Sequence, residues 1–178
     1  MKTLSFVIAL TVLTAFSSHA DAPYSADEAY KTMLSLEGTW VGESNVVPVG
    51  KSKDEGTKSK TTVTYKNIAN GSSIMATFLE GTPMEMVSMY HQDGPETLIH
   101  THYCAAGNQP SMTFSPSKEE KLIDFKFTKG TNMDVTKDGH AHSGNMKIVD
   151  TDHFETRSEL WGEGKVASIR YTKMMRKK

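Results

Sequence analysis

The sequence contains only one cysteine, Cys104, so no internal disulfide can hold this fold together. It also has no excess of charge, because 20 Lys and Arg residues stand against 21 Asp and Glu residues and leave a formal net charge of −1. Nucleic acids and anionic membrane surfaces attract proteins through a basic excess. We therefore expect neither of these partners.

Long hydrophobic runs are also scarce, since the sole candidate is residues 4–16, behind the positive charge of Lys2. That run is shorter than the roughly 20 residues that a transmembrane helix needs. Ser18, His19 and Ala20 follow it with the small-x-small pattern that signal peptidase recognises. We expect residues 1–20 to be a cleavable signal peptide cut after Ala20. The rest of the chain, residues 21–178, is then a single periplasmic or secreted domain without membrane insertion.

The sequence predicts one helix followed only by strands. Ser25 and Glu28 have the spacing of a capping box, and Tyr30, Met33 and Leu34 then share one helical face. After Gly38, short runs of β-branched, aromatic and Met residues alternate with Gly, Asn, Asp and Pro turns. We expect strands near 39–47, 59–69, 73–80, 84–92, 96–104, 110–115, 121–129, 140–149, 152–161 and 164–174. This pattern is typical of an all-β, roughly ten-stranded antiparallel up-and-down barrel.

Three of these strands, 73–80, 84–92 and 96–104, are apolar on both faces. Such strands need a cover, which is either the N-terminal helix or a partner subunit, so a homodimer stays open. Residues 51–60 contain only Lys, Asp, Glu, Gly, Ser and Thr, and predict a loop.

Alternation along the strands suggests which side chains face a lumen. Residues spaced by two share one face of a strand. On this basis we expect Tyr65, Phe125, Phe127 and Tyr171 to line an apolar interior. A small apolar molecule is the natural occupant of such an interior.

Gly38 and Trp40 form a Gly-x-Trp pattern at the entry to the first strand, which resembles the signature of lipocalin-like barrels. The resemblance implies that Trp40 closes the barrel floor and that a basic residue of the last strand stacks on it. Arg170 is the matching candidate for that contact.

Residues 89–94, Met-Tyr-His-Gln-Asp-Gly, and 101–110, Thr-His-Tyr-Cys-Ala-Ala-Gly-Asn-Gln-Pro, resemble a family of uncharacterised bacterial secreted proteins. That family is similar to the lipocalin-like barrels that include the haem-binding nitrobindins. The resemblance implies a ligand-enclosing barrel in a bacterial periplasm. The late histidine that binds haem in nitrobindins has no residue-by-residue match to His140, His142 or His153.

A His-x-His-x-Cys pattern lies within the predicted strand 96–104. His100, His102 and Cys104 project to one side of an extended strand, and nitrogen and sulfur donors suit zinc or copper. The family pattern has an aliphatic residue at the position of His100, which weakens a three-ligand site. The alternative is that His102 is a buried, hydrogen-bonded histidine and that Cys104 simply packs.

Polar side chains at the barrel mouth complete the set of candidate ligand-binding residues. Asn108 and Gln109 follow a run of small residues that lets a ligand approach the backbone, and their amides offer donors and acceptors. His142 shares a strand face with Met146 and is predicted to look inward. An alternative for Asn108 and Gln109 is that they cap neighbouring strand ends.

Three functions remain open at this point: a barrel that holds a small hydrophobic ligand, a metal-binding protein that uses His102 and Cys104, and a haem or thiol enzyme. No Gly-x-Ser-x-Gly elbow and no inward pair of carboxylates is evident. The sequence therefore favours binding over catalysis.

Overall fold

The computed structural model describes residues 24–178. The predicted signal peptide lies outside the described residues and stays a prediction. Helix α1 spans Ala26–Leu34 and begins at the predicted capping box: the Glu28 N–H donates to Ser25 Oγ, and the Ser25 N–H donates to the Glu28 carboxylate. None of the helices described in residues 24–178 combines the length and the hydropathy of a membrane-spanning segment.

Ten antiparallel strands follow the helix and form a closed up-and-down barrel, as predicted. Each strand pairs with the next along the chain, and β1 pairs with β10 to close the ring. The strands are β1 Gly38–Pro48, β2 Thr57–Ile68, β3 Ser73–Phe78, β4 Met86–Gln92, β5 Leu98–Tyr103, β6 Gln109–Ser115, β7 Leu122–Thr131, β8 His140–Ile148, β9 His153–Gly162 and β10 Lys165–Arg176.

The loop predicted for residues 51–60 is shorter than expected. Lys53–Glu55 forms a 3-10 turn, and the Glu55 carboxylate accepts the N–H of Ser52. Strand β2 already begins at Thr57, which lies opposite Val46 of β1. The hydrogen-bonded ladder with β1 extends the strand through residues too polar to be recognised as a strand from hydropathy.

Helix α1 covers one end of the barrel, where β2 turns into β3. The Tyr30 hydroxyl donates to the Gly71 carbonyl at 2.8 Å, and Asn67 Nδ2 donates to the Leu34 carbonyl at 3.0 Å. Ala29 and Met33 are completely buried, and the helix contacts β4 and β5. We call this the closed end. Whether a partner subunit also covers the barrel stays open.

Trp40 is completely buried near the closed end and donates its indole N–H to the Leu36 carbonyl at 2.8 Å. Arg176, not the predicted Arg170, stacks on it, with the guanidinium carbon 4.2 Å from the ring centroid. The register explains the correction, because Trp40 lies opposite Arg176 whereas Arg170 lies opposite Val46, six residues further along β1. At about 3.3 Å per residue, Arg170 is roughly 20 Å away along the strand.

The guanidinium of Arg176 also joins three segments of the chain. Its Nη1 donates to the Glu37 carbonyl at 2.7 Å, and its Nη2 donates to the carbonyls of Ser35 and Thr151 at 3.1 and 3.2 Å. One side chain therefore links the end of α1, the start of β1 and the β8–β9 turn.

We expect Arg176→Ala to lower the free energy of unfolding by about 2–4 kcal/mol, because it removes a cation-π contact and several charge-assisted hydrogen bonds. Chemical denaturation measures this change. Lys177→Ala, at an exposed neighbouring position, is the control and should leave stability within about 0.5 kcal/mol of wild type. Equal stability of the two variants would contradict the role given to Arg176.

Candidate functional site

The barrel encloses a cavity of about 300 Å³. Large side chains fill the lumen towards the closed end, where the rings of Trp40 and Phe154 are 4.7 Å apart and those of Tyr65 and Phe154 are 6.1 Å apart. Small residues line the wall elsewhere, among them Ser44, Ser59, Ala141, Gly144 and Ser158. This difference in side-chain size leaves the space.

Tyr65 and Phe125 line the cavity, where alternation along their strands predicted them. Tyr90, which sequence reasoning did not single out, lines it as well. Burial raises the pKa of both tyrosines, so their phenol groups remain protonated at neutral pH. Phe125 packs against Tyr90 with ring centroids 5.9 Å apart.

Two histidines and a serine form a hydrogen-bonded group on the cavity wall. His100 Nε2 lies 2.9 Å from Ser88 Oγ, and His102 Nδ1 lies 3.0 Å from the same oxygen. His100 also stacks on Tyr90, with centroids 4.4 Å apart. A hydroxyl can donate one hydrogen bond and accept another, so Ser88 satisfies one nitrogen of each imidazole.

Both imidazoles are neutral at physiological pH. Burial, together with the neighbouring His102, lowers the pKa of His100 to about 3. Burial, together with the charge of Arg170, lowers the pKa of His102 to about 4. Sequence analysis did not identify Ser88 as a site residue. It lies two residues before Tyr90, so both side chains share one face of β4.

Cys104 does not join the two histidines in a metal site. It lies just beyond the end of β5, its Sγ is 4.0 Å from Met86 Sδ, and it does not line the cavity. Across residues 24–178, no three His, Cys, Asp or Glu side chains are arranged to hold a metal ion. The predicted site of His100, His102 and Cys104 is therefore not assembled, because both imidazoles turn towards the Ser88 hydroxyl.

Arg170 lines the cavity instead of supporting the barrel floor. Within the part of the chain that the structure describes, its side chain makes no hydrogen bond and no salt bridge, and its Nε is buried without a partner. Burial lowers the pKa of this guanidinium. Arg170 and His102 line the cavity from β10 and β5, which lie opposite each other in the ring, and the charge of Arg170 lowers the pKa of His102.

Tyr171 faces outward, contrary to the prediction. Its neighbours Arg170 and Thr172 line the cavity, and successive side chains of a strand point to opposite faces. Lys53 Nζ covers the outer ring face, 4.2 Å from the centroid of Tyr171. Hydrophobicity predicted the wrong face for Tyr171, because β10 turns the charged Arg170 into the lumen and Tyr171 to the outside.

Phe127 and His142 do not line the cavity either. The His142 ring lies between two aromatic rings, 4.3 Å from Phe127 and 3.7 Å from Trp161. A β-bulge between Ala141 and Ser143 leaves His142 without a strand partner and breaks the alternation on which its inward placement depended. The other late histidines, His140 and His153, are also absent from the cavity wall.

Asn108 and Gln109 connect loops at the barrel end opposite α1. Asn108 Nδ2 donates to the Gly139 carbonyl at 2.9 Å, and Gln109 Nε2 donates to the Gly107 carbonyl at 2.7 Å. Gln109 Oε1 also accepts a hydrogen bond from Thr131. Neither amide lines the cavity. Their hydrogen bonds to loop carbonyls agree with the alternative in which Asn108 and Gln109 cap neighbouring strand ends.

No protein-family model matches this sequence. No curated protein matches it either. Solved structures are similar in fold. One is a protein of unknown function from the DUF3598 family of Nostoc punctiforme, with a TM-score of 0.58 and 14% sequence identity. The match covers 92% of this chain and 53% of that protein. Rv2717c from M. tuberculosis has a TM-score of 0.60 and 12% identity, over 84% of this chain and 98% of that one.

This chain thus spans about half the length of the Nostoc protein. The two likenesses show the fold and agree with an uncharacterised β-barrel family; they show no ligand. The specific relation to lipocalins and nitrobindins stays a prediction. A closed barrel with an internal cavity is compatible with ligand binding.

The neutral histidines predict acid sensitivity. In the unfolded chain both imidazoles titrate near pH 6.5, whereas in the folded barrel their pKa values are about 3 and about 4. Between about pH 6.5 and pH 4 the unfolded chain therefore binds more protons, and the free energy of unfolding falls as the pH falls. Above about pH 6.5 this stabilisation is fully present.

We expect the double variant His100→Gln, His102→Asn to be less sensitive to acid across this window, by on the order of 1–3 kcal/mol. Gln and Asn place an amide near each nitrogen that contacts Ser88. Denaturation at stepwise pH measures the slope, with His91→Gln, on the outer face of β4, as the control. An unchanged slope in the double variant would show that these histidines do not govern the acid response.

Proposed function

We propose that this protein is a periplasmic or secreted binding protein that holds a small hydrophobic ligand in its barrel lumen. The observation that supports the proposal is the cavity of about 300 Å³, which lies at the lower end of the range of about 300–1,000 Å³ typical of small-molecule pockets. Apolar side chains make up much of its wall, including Val63, Phe78, Met86 and Leu160.

The size of the cavity supports binding over simple imperfect packing. Protein interiors are close-packed, and voids larger than a water molecule are few. At about 300 Å³, this cavity is far larger than a void that holds a single water molecule. An apolar ligand in it would bury the surrounding side chains.

The closed sheet supports the proposal in a second way. Every strand is hydrogen-bonded on both sides, so the wall is fixed before a ligand arrives. A pre-formed pocket loses little conformational entropy on binding. Selectivity would then come from the shape of the lumen and from the few polar groups within it.

Export is part of the proposal. The apolar run at residues 4–16 and the small residues before Ala20 support cleavage by signal peptidase. We expect the mature protein, produced in a bacterial host with its own leader, to begin at Asp21. N-terminal sequencing of the periplasmic fraction tests this, and an uncleaved chain retained in the cytoplasm would contradict it.

The lumen is tested by filling it. Ala141 lines the cavity, so Ala141→Phe should occupy the site and weaken binding of the neutral fluorescent probe N-phenyl-1-naphthylamine by about tenfold or more. Ala167→Phe makes the same change at an exposed position of β10 and should bind the probe like wild type. Fluorescence titration measures both affinities.

Native mass spectrometry of gently purified wild-type protein is the complementary measurement. We expect an apolar molecule to accompany the wild-type chain and to be lost in Ala141→Phe. If the wild type carries no molecule and binds the probe no better than Ala141→Phe, the lumen is not a binding site.

A further inference from the structure

We propose that the ligand is an amphiphile with a small oxyanion head, such as a carboxylate or sulfate, and that Arg170 binds this head inside the barrel. The inference rests on the proposed binding function and specifies the chemical class of the ligand. It follows from the positive charge of Arg170 in the lumen and from the lack of a carboxylate on the cavity wall to neutralise that charge.

Arg170 differs from the other two arginines of the chain. Arg157 forms a salt bridge with Glu159, and Arg176 forms one with Asp152 in addition to its backbone hydrogen bonds. Arg170 has no such partner among residues 24–178, although a guanidinium carries five N–H donors. Its Nε is buried without a partner, and a buried donor that lacks an acceptor destabilises a fold, so an acceptor from outside the chain is expected.

No carboxylate lines the cavity wall, and the acidic group that acts on Arg170 is the thiol of Cys104, which lies outside that wall. Among the residues that line it, none is Asp or Glu, whereas Lys60 and Arg170 are both basic. The protein as a whole is nearly neutral, so this local excess of positive charge is not a consequence of its composition. Such a lumen disfavours cations and attracts anions.

His102, which also lines the cavity, offers a second donor to an anionic head group. Its Nδ1 contacts Ser88, while its Nε2 has no hydrogen-bond partner among the described residues. If His100 Nε2–H donates to Ser88 Oγ and the Ser88 hydroxyl donates to His102 Nδ1, then His102 Nε2 carries its proton as a donor. A bound anion favours that tautomer, because it accepts the Nε2–H.

The remaining cavity wall fits the chain of an amphiphile. Phe78, Met86 and Leu160 offer apolar surface around the polar group. A wholly neutral, apolar ligand would bury this surface but would leave Arg170 unpaired, and a free inorganic anion would leave the surface unused. An amphiphile pairs its anionic head with Arg170 and packs its apolar chain against the apolar wall.

Isothermal titration calorimetry with octanoate, octyl sulfate and octan-1-ol tests the proposal. Wild type should bind both anions more tightly than the alcohol. Arg170→Met keeps the apolar stem without the charge and should weaken both anions by about 10- to 100-fold while leaving octan-1-ol unchanged. Arg157→Met, which removes an arginine from the outer face, is the matched control and should bind all three like wild type.

The outcomes separate this inference from the function on which it rests. Tight binding of the alcohol with no preference for the anions, and no loss in Arg170→Met, would overturn the anionic head while leaving the lumen function in place. Failure of wild type to bind any of the three, or N-phenyl-1-naphthylamine, would overturn both. Arg170→Met should also unfold at a higher Tm than wild type without ligand, which confirms that the variant is folded and that the guanidinium is unpaired.

Carboxylate and sulfate heads share the chemistry that Arg170 recognises, and the two anionic probes distinguish them. A preference for octanoate indicates a planar head that forms a bidentate pair with the guanidinium. A preference for octyl sulfate indicates a tetrahedral head. Arg170→Lys, which keeps the charge but not the fork of donors, should retain part of the affinity for either anion.

Discussion

The pairing of β1 with β10 is the constraint on which the rest of this structure depends. It joins the first and last strands of a chain that otherwise pairs only neighbours, and so it removes both edges of the sheet. The same pairing places Trp40 opposite Arg176, so the cation-π contact and the hydrogen bonds of that arginine lie at the closure. Only a closed ring has an interior, and the cavity, the Ser88–histidine group and the buried charge all follow from it.

The distribution of side-chain size along the lumen then determines what that interior can do. Trp40, Tyr65 and Phe154 pack together near α1, and this end of the barrel behaves as a core. Towards the other end, serine and alanine leave space that no side chain of the described residues fills. A uniformly large inner wall would give a more stable protein with no lumen. The fold and the cavity are therefore encoded by different residues on the same strands.

The fold was predictable from the sequence, because short runs of β-branched, aromatic and Met residues separated by turn residues mark the ten strands and a capping box marks α1. The site was predictable only in part. Placing His100, Tyr65 and Phe125 on the cavity wall required only regular alternation, whereas placing His142 also required knowledge of a bulge. Arg170 was given the wrong role, since the choice between it and Arg176 depends on the register of two strands far apart in sequence.

The polar groups of the lumen fall into two kinds, and the difference bears on function. Ser88, His100 and His102 satisfy one another, so they are stable in an empty barrel and need no ligand to explain them. The Nε of Arg170 is buried without a partner in the described chain, and we expect an apolar residue of similar volume to stabilise the fold. A residue that lowers stability without helping the barrel to close is best explained by an interaction outside the chain. Arg170 is therefore the more informative group: the histidines and the serine can be understood as packing, but the buried Nε of the arginine has no acceptor within the described chain.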